Sequence, residues 1–175
     1  YLNLYVAIIL LHTLSVAQTT INIPADYPTI QAGIDAASDG DTVLVSAGTY
    51  VENIIWPATN GIKLIGSGED DCIIDGDSLA SVIRFEEDLG GIIDSTTLIT
   101  GFTVQNGYAQ GDNPNNRGGG MYLQSSNPNL THVTISNNTA DSYGGGMYLH
   151  TSNPILTHVT ISNNTANWGG GMHLS

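Results

Sequence analysis

The residues of this chain most able to do chemistry are few and sit at telling spacings. Asp70, Asp71, Asp75 and Asp77 bunch in a glycine-rich stretch, and hard carboxylate oxygens this close together are the ligands a Ca²⁺ ion takes, which would also relieve their mutual repulsion. Their pattern departs from the EF-hand loop and from the glycine-rich repeat of calcium β-rolls. A solvated turn is the plainer reading of Asp70-Asp71. His132 and His158 recur one repeat apart; imidazoles at that interval could share a metal, or simply form an exposed ladder. Tyr122, Tyr148 and His173 recur likewise, and rings in such a column could stack on sugar faces or on one another.

Three Asn-x-Thr matches, at Asn129, Asn137 and Asn163, fit the acceptor pattern for N-linked glycans. Asn137 and Asn163 are wanted inside the fold for another reason given below, so the match reads as incidental. Three glycine triplets, opening at Gly118, Gly144 and Gly169, invite a phosphate-binding reading. No P-loop lysine follows them and no helix begins there, so tight corners suffice. The lone cysteine, Cys72, lies beside Ile73 and Ile74, a setting that suits a buried strand position.

Charge limits what these groups can do together. The net charge is −13, from 16 acidic against 3 basic residues, which makes nucleic acid and anionic membranes poor partners. The cations are Lys63, Arg84 and Arg117, and from Gly118 onward Asp141 is the single Asp, Glu, Lys or Arg. The C-terminal third therefore has little acid–base chemistry to offer, and no catalytic residue is assigned from the sequence. No cofactor is assigned, calcium at Asp70, Asp71, Asp75 and Asp77 being the one candidate.

The elements that must position these residues are written in a repeat. Gly118 to Leu123 returns as Gly144 to Leu149 and again as Gly169 to Leu174, at intervals of 26 and then 25 residues, and Thr131 to Ala140 recurs letter for letter as Thr157 to Ala166. The repeats are bounded as 118–143, 144–168 and 169–175, and the third breaks off early, so the chain reads as part of something longer. Self-similarity at this period marks a solenoid. Inside one unit, Val133 to Ser136 alternates apolar and polar, the strand period, and no helical spacing appears. Each unit holds short extended pieces around Met121 to Leu123, around Leu130 and from Val133 to Ile135.

Three strands and three turns in about 25 residues make one rung of a parallel β-helix, with rungs stacked at roughly 4.8 Å. Asn tolerates the left-handed conformation of a sharp corner. Asn106, Asn137 and Asn163 share one slot and are expected to hydrogen-bond from rung to rung as an amide ladder. Met121, Met147 and Met172 are expected to stack inside, as are Val133 with Val159 and Ile135 with Ile161. Upstream, residues 42–45, 62–65, 72–74 and 81–85 read as strands of earlier rungs. Residues 29–37 read as a helix with Ile30, Ile34 and Ala37 on one face, placed to cap the first coil.

The run Ile23-Pro24-Ala25-Asp26-Tyr27-Pro28-Thr29-Ile30-Gln31-Ala32-Gly33-Ile34-Asp35-Ala36-Ala37, followed by Gly40 to Val45 and by Gly48-Thr49-Tyr50-Val51-Glu52-Asn53-Ile54, resembles the opening of right-handed parallel β-helix proteins of the pectin-lyase-like superfamily. The resemblance implies a helix capping the first coil, and a fold that carries lyases, hydrolases, esterases, tailspikes and adhesins alike. It implies that lyases of this kind hold Ca²⁺ with carboxylates and abstract a proton with Arg or Lys, and that the hydrolases use paired Asp. No Asn-Thr-Asp or Gly-His-Gly motif of the hydrolase type occurs here, and the one Asp-Asp pair, Asp70-Asp71, stands alone after Gly66-Ser67-Gly68-Glu69. The alternation of Asn-Asn-Thr-Ala with Gly-Gly-Gly-Met also resembles the repeats of polymorphic outer membrane autotransporters, with Phe replaced by Thr134 or Ile135.

Residues 4–11 form an apolar run of signal-peptide length, and Ser15-Val16-Ala17 offers small residues for cleavage, so residues 1–17 are expected to be a leader and 18–175 the exported domain. The run is too short to span a membrane. The expectation is an all-β, right-handed parallel β-helix that is secreted or displayed at the cell surface. Its expected role is non-catalytic, adhesive or structural, with an extracellular polysaccharide or cell-surface component as partner. The alternative is a polysaccharide lyase or hydrolase of the pectin or uronide type with catalytic rungs beyond Ser175.

Overall fold

The computed structural model describes residues 17–86 and 92–175; the leader reading falls on residues 1–16, outside that set, with Ala17 its one described residue. Among the described residues lie sixteen strands and one helix. The strands form three sheets, and every strand pair is parallel. Parallel neighbours require a crossover of many residues. Here the first crossover, between Ile23 and Thr42, runs through the helix, and the later ones run through other sheets.

The last rungs show the plan most plainly. β10 (Met121–Gln124), β13 (Met147–His150) and β16 (Met172–Leu174) lie in one sheet, hereafter the methionine sheet. β11 (Asn129–Ser136) and β14 (Ile155–Ser162) extend the largest sheet, and β12 (Thr139–Tyr143) and β15 (Thr165–Trp168) the smallest. The register puts each repeat residue on its own copy: Met121 on Met147 on Met172, Val133 on Val159, Ile135 on Ile161. Met121, Met147, Val133 and Ile135 are fully buried, and Met172, Val159 and Ile161 pack against that core.

The corners have one backbone cause. Gly118, Ser125, His132 and Asn137 adopt positive φ, between 48° and 67°, and so do their copies Gly144, Thr151, His158 and Asn163. A left-handed residue turns the chain sharply; Gly and Asn accept that conformation most readily. At His132 the long strand β11 bends: pairing runs to Thr131, skips His132 and resumes at Val133, and β14 skips His158 in step. In β8 (Leu98–Gln105), one rung earlier, Gly101 makes the same bend with φ 75°.

Earlier rungs keep the parallel stacking but put their second strand in the largest sheet. β1 (Thr20–Ile23), β2 (Thr42–Val45), β5 (Lys63–Gly66) and β8 pair in sequence, while β3 (Gly48–Val51) pairs with β6 (Cys72–Asp75), and β6 pairs with the second half of β8. β4 (Ile54–Ile55) and β7 (Ile83–Phe85) begin the methionine sheet, and β9 (Tyr108–Ala109) begins the smallest. The expected helix is α1 (Ile30–Ala36). Thr29 caps it by accepting from the Ala32 amide, and the Glu52 carboxylate accepts from the Ile30 and Gln31 amides at 2.9 Å each; an anion belongs at that end of a helix. Ile30, Ile34 and Ala37 are buried in the cluster that holds Ile23 and Val43.

Two expectations need correction. Each repeat holds a further strand, β12 or β15, where the polar Asp141 and Asn167 had hidden strand period. The amide ladder is displaced by one residue. Asn106, Asn137 and Asn163 do take the left-handed corner, with φ of 56°, 57° and 55°, but that conformation turns the Asn137 and Asn163 side chains outward, and both are exposed. The next residue turns in. Asn138 is fully buried. Its Nδ2 donates to Asn164 Oδ1 at 3.0 Å and to the Val104 carbonyl at 3.1 Å, its Oδ1 accepts from the Gly107 amide at 2.8 Å, and Asn164 Nδ2 donates to the Ile135 carbonyl at 2.9 Å. Asn106 bonds between rungs through the Asp75 carboxylate instead, at 2.7 Å.

Candidate functional site, an arginine and aromatic face

Side chains alternate across a strand, so burial of Met121 and Leu123 turns Tyr122 and Gln124 to the outer face. Register then builds a column: Arg84 on β7, Tyr122 on β10, Tyr148 on β13, His173 on β16. The Arg84 guanidinium carbon lies 4.1 Å from the Tyr122 ring centroid. Tyr122 and Tyr148 stack at 5.5 Å, and Tyr148 and His173 at 5.7 Å with 4° between planes. The rings thus satisfy one another, so a sugar has no face of Tyr122 or Tyr148 to lie on.

A second column packs beside the first. The chain bridges at Arg117 and Tyr143, and Tyr143 pairs with Trp168. Tyr143 stacks on Trp168 at 5.0 Å and meets His173 at 4.5 Å. The Arg117 guanidinium lies 5.1 Å from both the Tyr143 and Tyr148 rings, and its Nη1 donates to the Tyr148 hydroxyl at 2.7 Å. Each column therefore opens on an arginine held against a tyrosine face. Two of the chain's three cations converge here.

The two arginines are satisfied unequally. Arg84 Nε pairs with Glu86 at 3.0 Å and Nη1 donates to Ser81 Oγ at 3.1 Å. Arg84 Nη2 and Arg117 Nε are enclosed with no hydrogen-bond partner among the described residues. Burial pushes the Tyr122 phenol above its usual pKa, against the opposing pull of Arg84 and Arg117, so at neutral pH it is a hydrogen-bonding group and not an anion.

Two hollows flank Arg117. One of about 430 Å³ is lined by Arg117, Tyr143, Tyr148, His150, His173 and Ser175; the other, of about 340 Å³, by Asn113, Pro114, Arg117, Tyr122, Gln124 and His150. They share Arg117 and His150. The set is one cation, planar amides, imidazoles and ring edges, which bind polar ligands by orientation. His150 Nδ1 lies 3.0 Å from Ser175 Oγ, which donates to the Tyr148 hydroxyl at 2.9 Å.

The other sequence candidates do not converge on this face. Among the described residues no three His, Cys, Asp or Glu come within reach of one metal ion. Asp70, Asp71 and Asp77 are exposed. Asp75 has its carboxylate taken up by Gln105, Asn106 and the Asp77 amide; burial alone would raise its pKa, and these donors outweigh it and hold it below the usual value. His132 and His158 are exposed and stacked, 4.8 Å apart at 15°, face to face, so their ring nitrogens do not converge. Cys72 is buried.

Sequence reasoning missed Arg84 and Arg117 as ring partners, having counted them only as scarce cations. The signal was present: Arg117, Tyr143 and Trp168 each stand immediately before a glycine triplet. Among the described residues no helix is long and apolar enough to cross a membrane. Comparisons of the chain with protein-family models, with curated proteins and with solved structures give no match.

Proposed function

We propose that the coil is a right-handed parallel β-helix of the pectin-lyase-like kind, and that the chain is an exported, non-catalytic protein whose arginine and aromatic face binds saccharide at a cell surface or in an extracellular matrix. Support for the fold reading is that every rung from β8 onward adds one parallel strand to each of three sheets, together with the resemblance of residues 23–54 to the opening of that superfamily. Support for export is the apolar run followed by small residues in 1–17. One observation carries the binding reading: the two columns headed by Arg84 and Arg117 border paired hollows.

The chemistry is that of a planar donor set. Sugar hydroxyls pair with guanidinium, amide and imidazole groups, while the ring edges exclude water around them. Arg117 lines both hollows and is the anchoring donor. The test is titration calorimetry of the folded chain against neutral and carboxylated oligosaccharides, repeated with Arg117→Ala and with the milder Gln124→Ala and His150→Ala. Binding that weakens at least about tenfold, near 1.4 kcal/mol, in Arg117→Ala and less in the other two supports the reading. Absence of binding to every glycan, or binding indifferent to all three changes, refutes it. Release of unsaturated products from polygalacturonate in the presence of Ca²⁺ would replace it with a lyase.

A further inference from the structure

The chain has two neighbouring asparagines at each of two equivalent corners, and the fold gives them opposite fates. In Asn137-Asn138-Thr139 and Asn163-Asn164-Thr165, the second asparagine bonds between rungs. The first holds the left-handed corner and is exposed, with one long side-chain bond, 3.4 Å, from Asn137 Nδ2 to Ser136 Oγ. The interior role that would have made Asn137 and Asn163 unavailable belongs to Asn138 and Asn164.

We infer that Asn137 and Asn163 are acceptor sites for an N-linked glycan. Both belong to Asn-x-Thr triplets, both are exposed at a turn between strands, and the following Thr139 and Thr165 pair in register at the start of β12 and β15. An acceptor must offer its amide clear of the fold, and a bulky, solvated group is tolerated where the backbone already turns outward. The third triplet does not meet that condition. Asn129 sits inside β11, half-buried, with its Oδ1 enclosed and unpaired. The structure thus sorts three identical sequence patterns into two acceptors and one bystander.

The covalent step needs a co-reactant, an oligosaccharide carried on a polyisoprenyl pyrophosphate. The asparagine Nδ2 attacks the anomeric carbon, the bond from that carbon to the pyrophosphate oxygen breaks, the lipid pyrophosphate leaves, and Nδ2 gives up one proton. No oxidation or reduction is involved. Adjacent rungs lie roughly 4.8 Å apart, so glycans on Asn137 and Asn163 would stand side by side along one corner.

This inference rests on the export reading, and the test separates the two. The chain is expressed in a eukaryotic secretory host twice, once behind residues 1–17 and once with residues 18–175 behind a leader of proven function. Material from the second is treated with the amidase that releases N-glycans and converts the acceptor Asn to Asp, and peptides are mapped by mass spectrometry. The expected result is the Asn-to-Asp mass shift at Asn137 and Asn163, absent at Asn129, with Thr139→Val and Thr165→Val each abolishing the shift at its own site. Valine keeps strand preference and removes only the hydroxyl, and circular dichroism of each variant checks the fold. Secreted protein unmodified at both sites, or modified at Asn129 alone, overturns the inference. Failure of residues 1–17 alone to direct secretion counts against export and leaves the acceptor result standing.

Discussion

The rungs from β2 to β7 and the rungs from β10 to β16 are both stacked in parallel, the first in two sheets and the second in three, and they hold together differently. In the earlier region each contact is individual. Trp56 stacks on Phe85 at 4.9 Å, Asn53 spans three carbonyls of the next rung, at Gly76, Ala80 and Ser81, and Asp41 ties Thr19 to Ser38. In the later region most core positions meet their own copies, Met on Met, Val on Val, Ile on Ile, as Tyr122 meets Tyr148 and Asn138 meets Asn164. Individual contacts allow sequence to drift rung by rung. Self-stacking forbids it, because a residue chosen for one rung must suit the rungs on either side.

The comparison breaks most visibly at the glycine triplets. A Cβ on Gly120 would lie 2.6 Å from the Gly146 carbonyl oxygen, 2.7 Å from Ile135 Cγ2 and 2.8 Å from Asn138 Nδ2, whereas a Cβ on Gly171, the same slot in the last rung, meets nothing nearer than Ile161 Cγ2 at 3.6 Å. Neither glycine needs positive φ, so space alone differs. Gly120→Ala is expected to lower the unfolding free energy by at least about 3 kcal/mol, since backbone and not a flexible side chain must move. Gly171→Ala is expected to stay within about 0.5 kcal/mol. Urea denaturation of the two variants checks this, and equal losses would mean that the triplets do not set the spacing between rungs.

The asparagine pair sharpens the same point at a smaller scale. Asn138→Ala removes an amide that satisfies the Gly107 amide, the Val104 carbonyl and Asn164, and leaving such partners buried and unpaired costs about 2 kcal/mol. Asn137→Ala removes the residue type that tolerates the left-handed corner and a long 3.4 Å bond from Asn137 Nδ2 to Ser136 Oγ, a loss of about 1 kcal/mol. Asn137→Gly should restore that loss, because glycine carries no Cβ penalty there. The corresponding Asn138→Gly should restore nothing. Chemical denaturation of the four variants decides it, and rescue of Asn138 by glycine would show that conformation, not the buried amide, matters at that position.

What could be read in the sequence follows from this division. Val133, Ile135 and the methionines were legible as core because they repeat and alternate. The helix from Ile30 was legible because Pro28, Thr29 and an apolar stripe mark it. The corner at Asn137 was legible through its residue type, but which of two adjacent asparagines points inward depends on a single left-handed dihedral that letters do not carry. The bend at His132 was hidden for the same reason, since histidine has no strong corner preference and Gly101 marks it one rung earlier. The arginine and aromatic face needed three dimensions: Arg84, Arg117 and Tyr148 are far apart along the chain and meet only because parallel register brings them together.

Acid separates the two regions with the smallest effect, and its sign is fixed by geometry. The Thr19 and Ser38 amides donate to the Asp41 carboxylate at 2.7 and 2.9 Å, and they hold its pKa below the usual carboxylate value. A carboxylate whose folded pKa is depressed adds stability that is complete above its unfolded pKa, about 3.9, and is lost as pH falls through the lower folded value. Asp75, also depressed, acts in the same direction within the same early region. From Gly118 to Ser175 the one carboxylate side chain is that of Asp141, which accepts from the Tyr108 hydroxyl, while Glu69 reaches the region from the earlier rungs and accepts from Thr134 Oγ1, so acid finds fewer carboxylates to neutralise there. Below about pH 4, amide hydrogen exchange should rise in β1, β2 and β6 before it rises in β10, β11 and β13. Asp41→Asn should be less stable than the parent at neutral pH, with the gap closing as the parent is acidified. Simultaneous loss of protection in both regions would mean that the coil melts as one unit, and that self-stacked rungs draw their stability from the individually bonded ones beneath them.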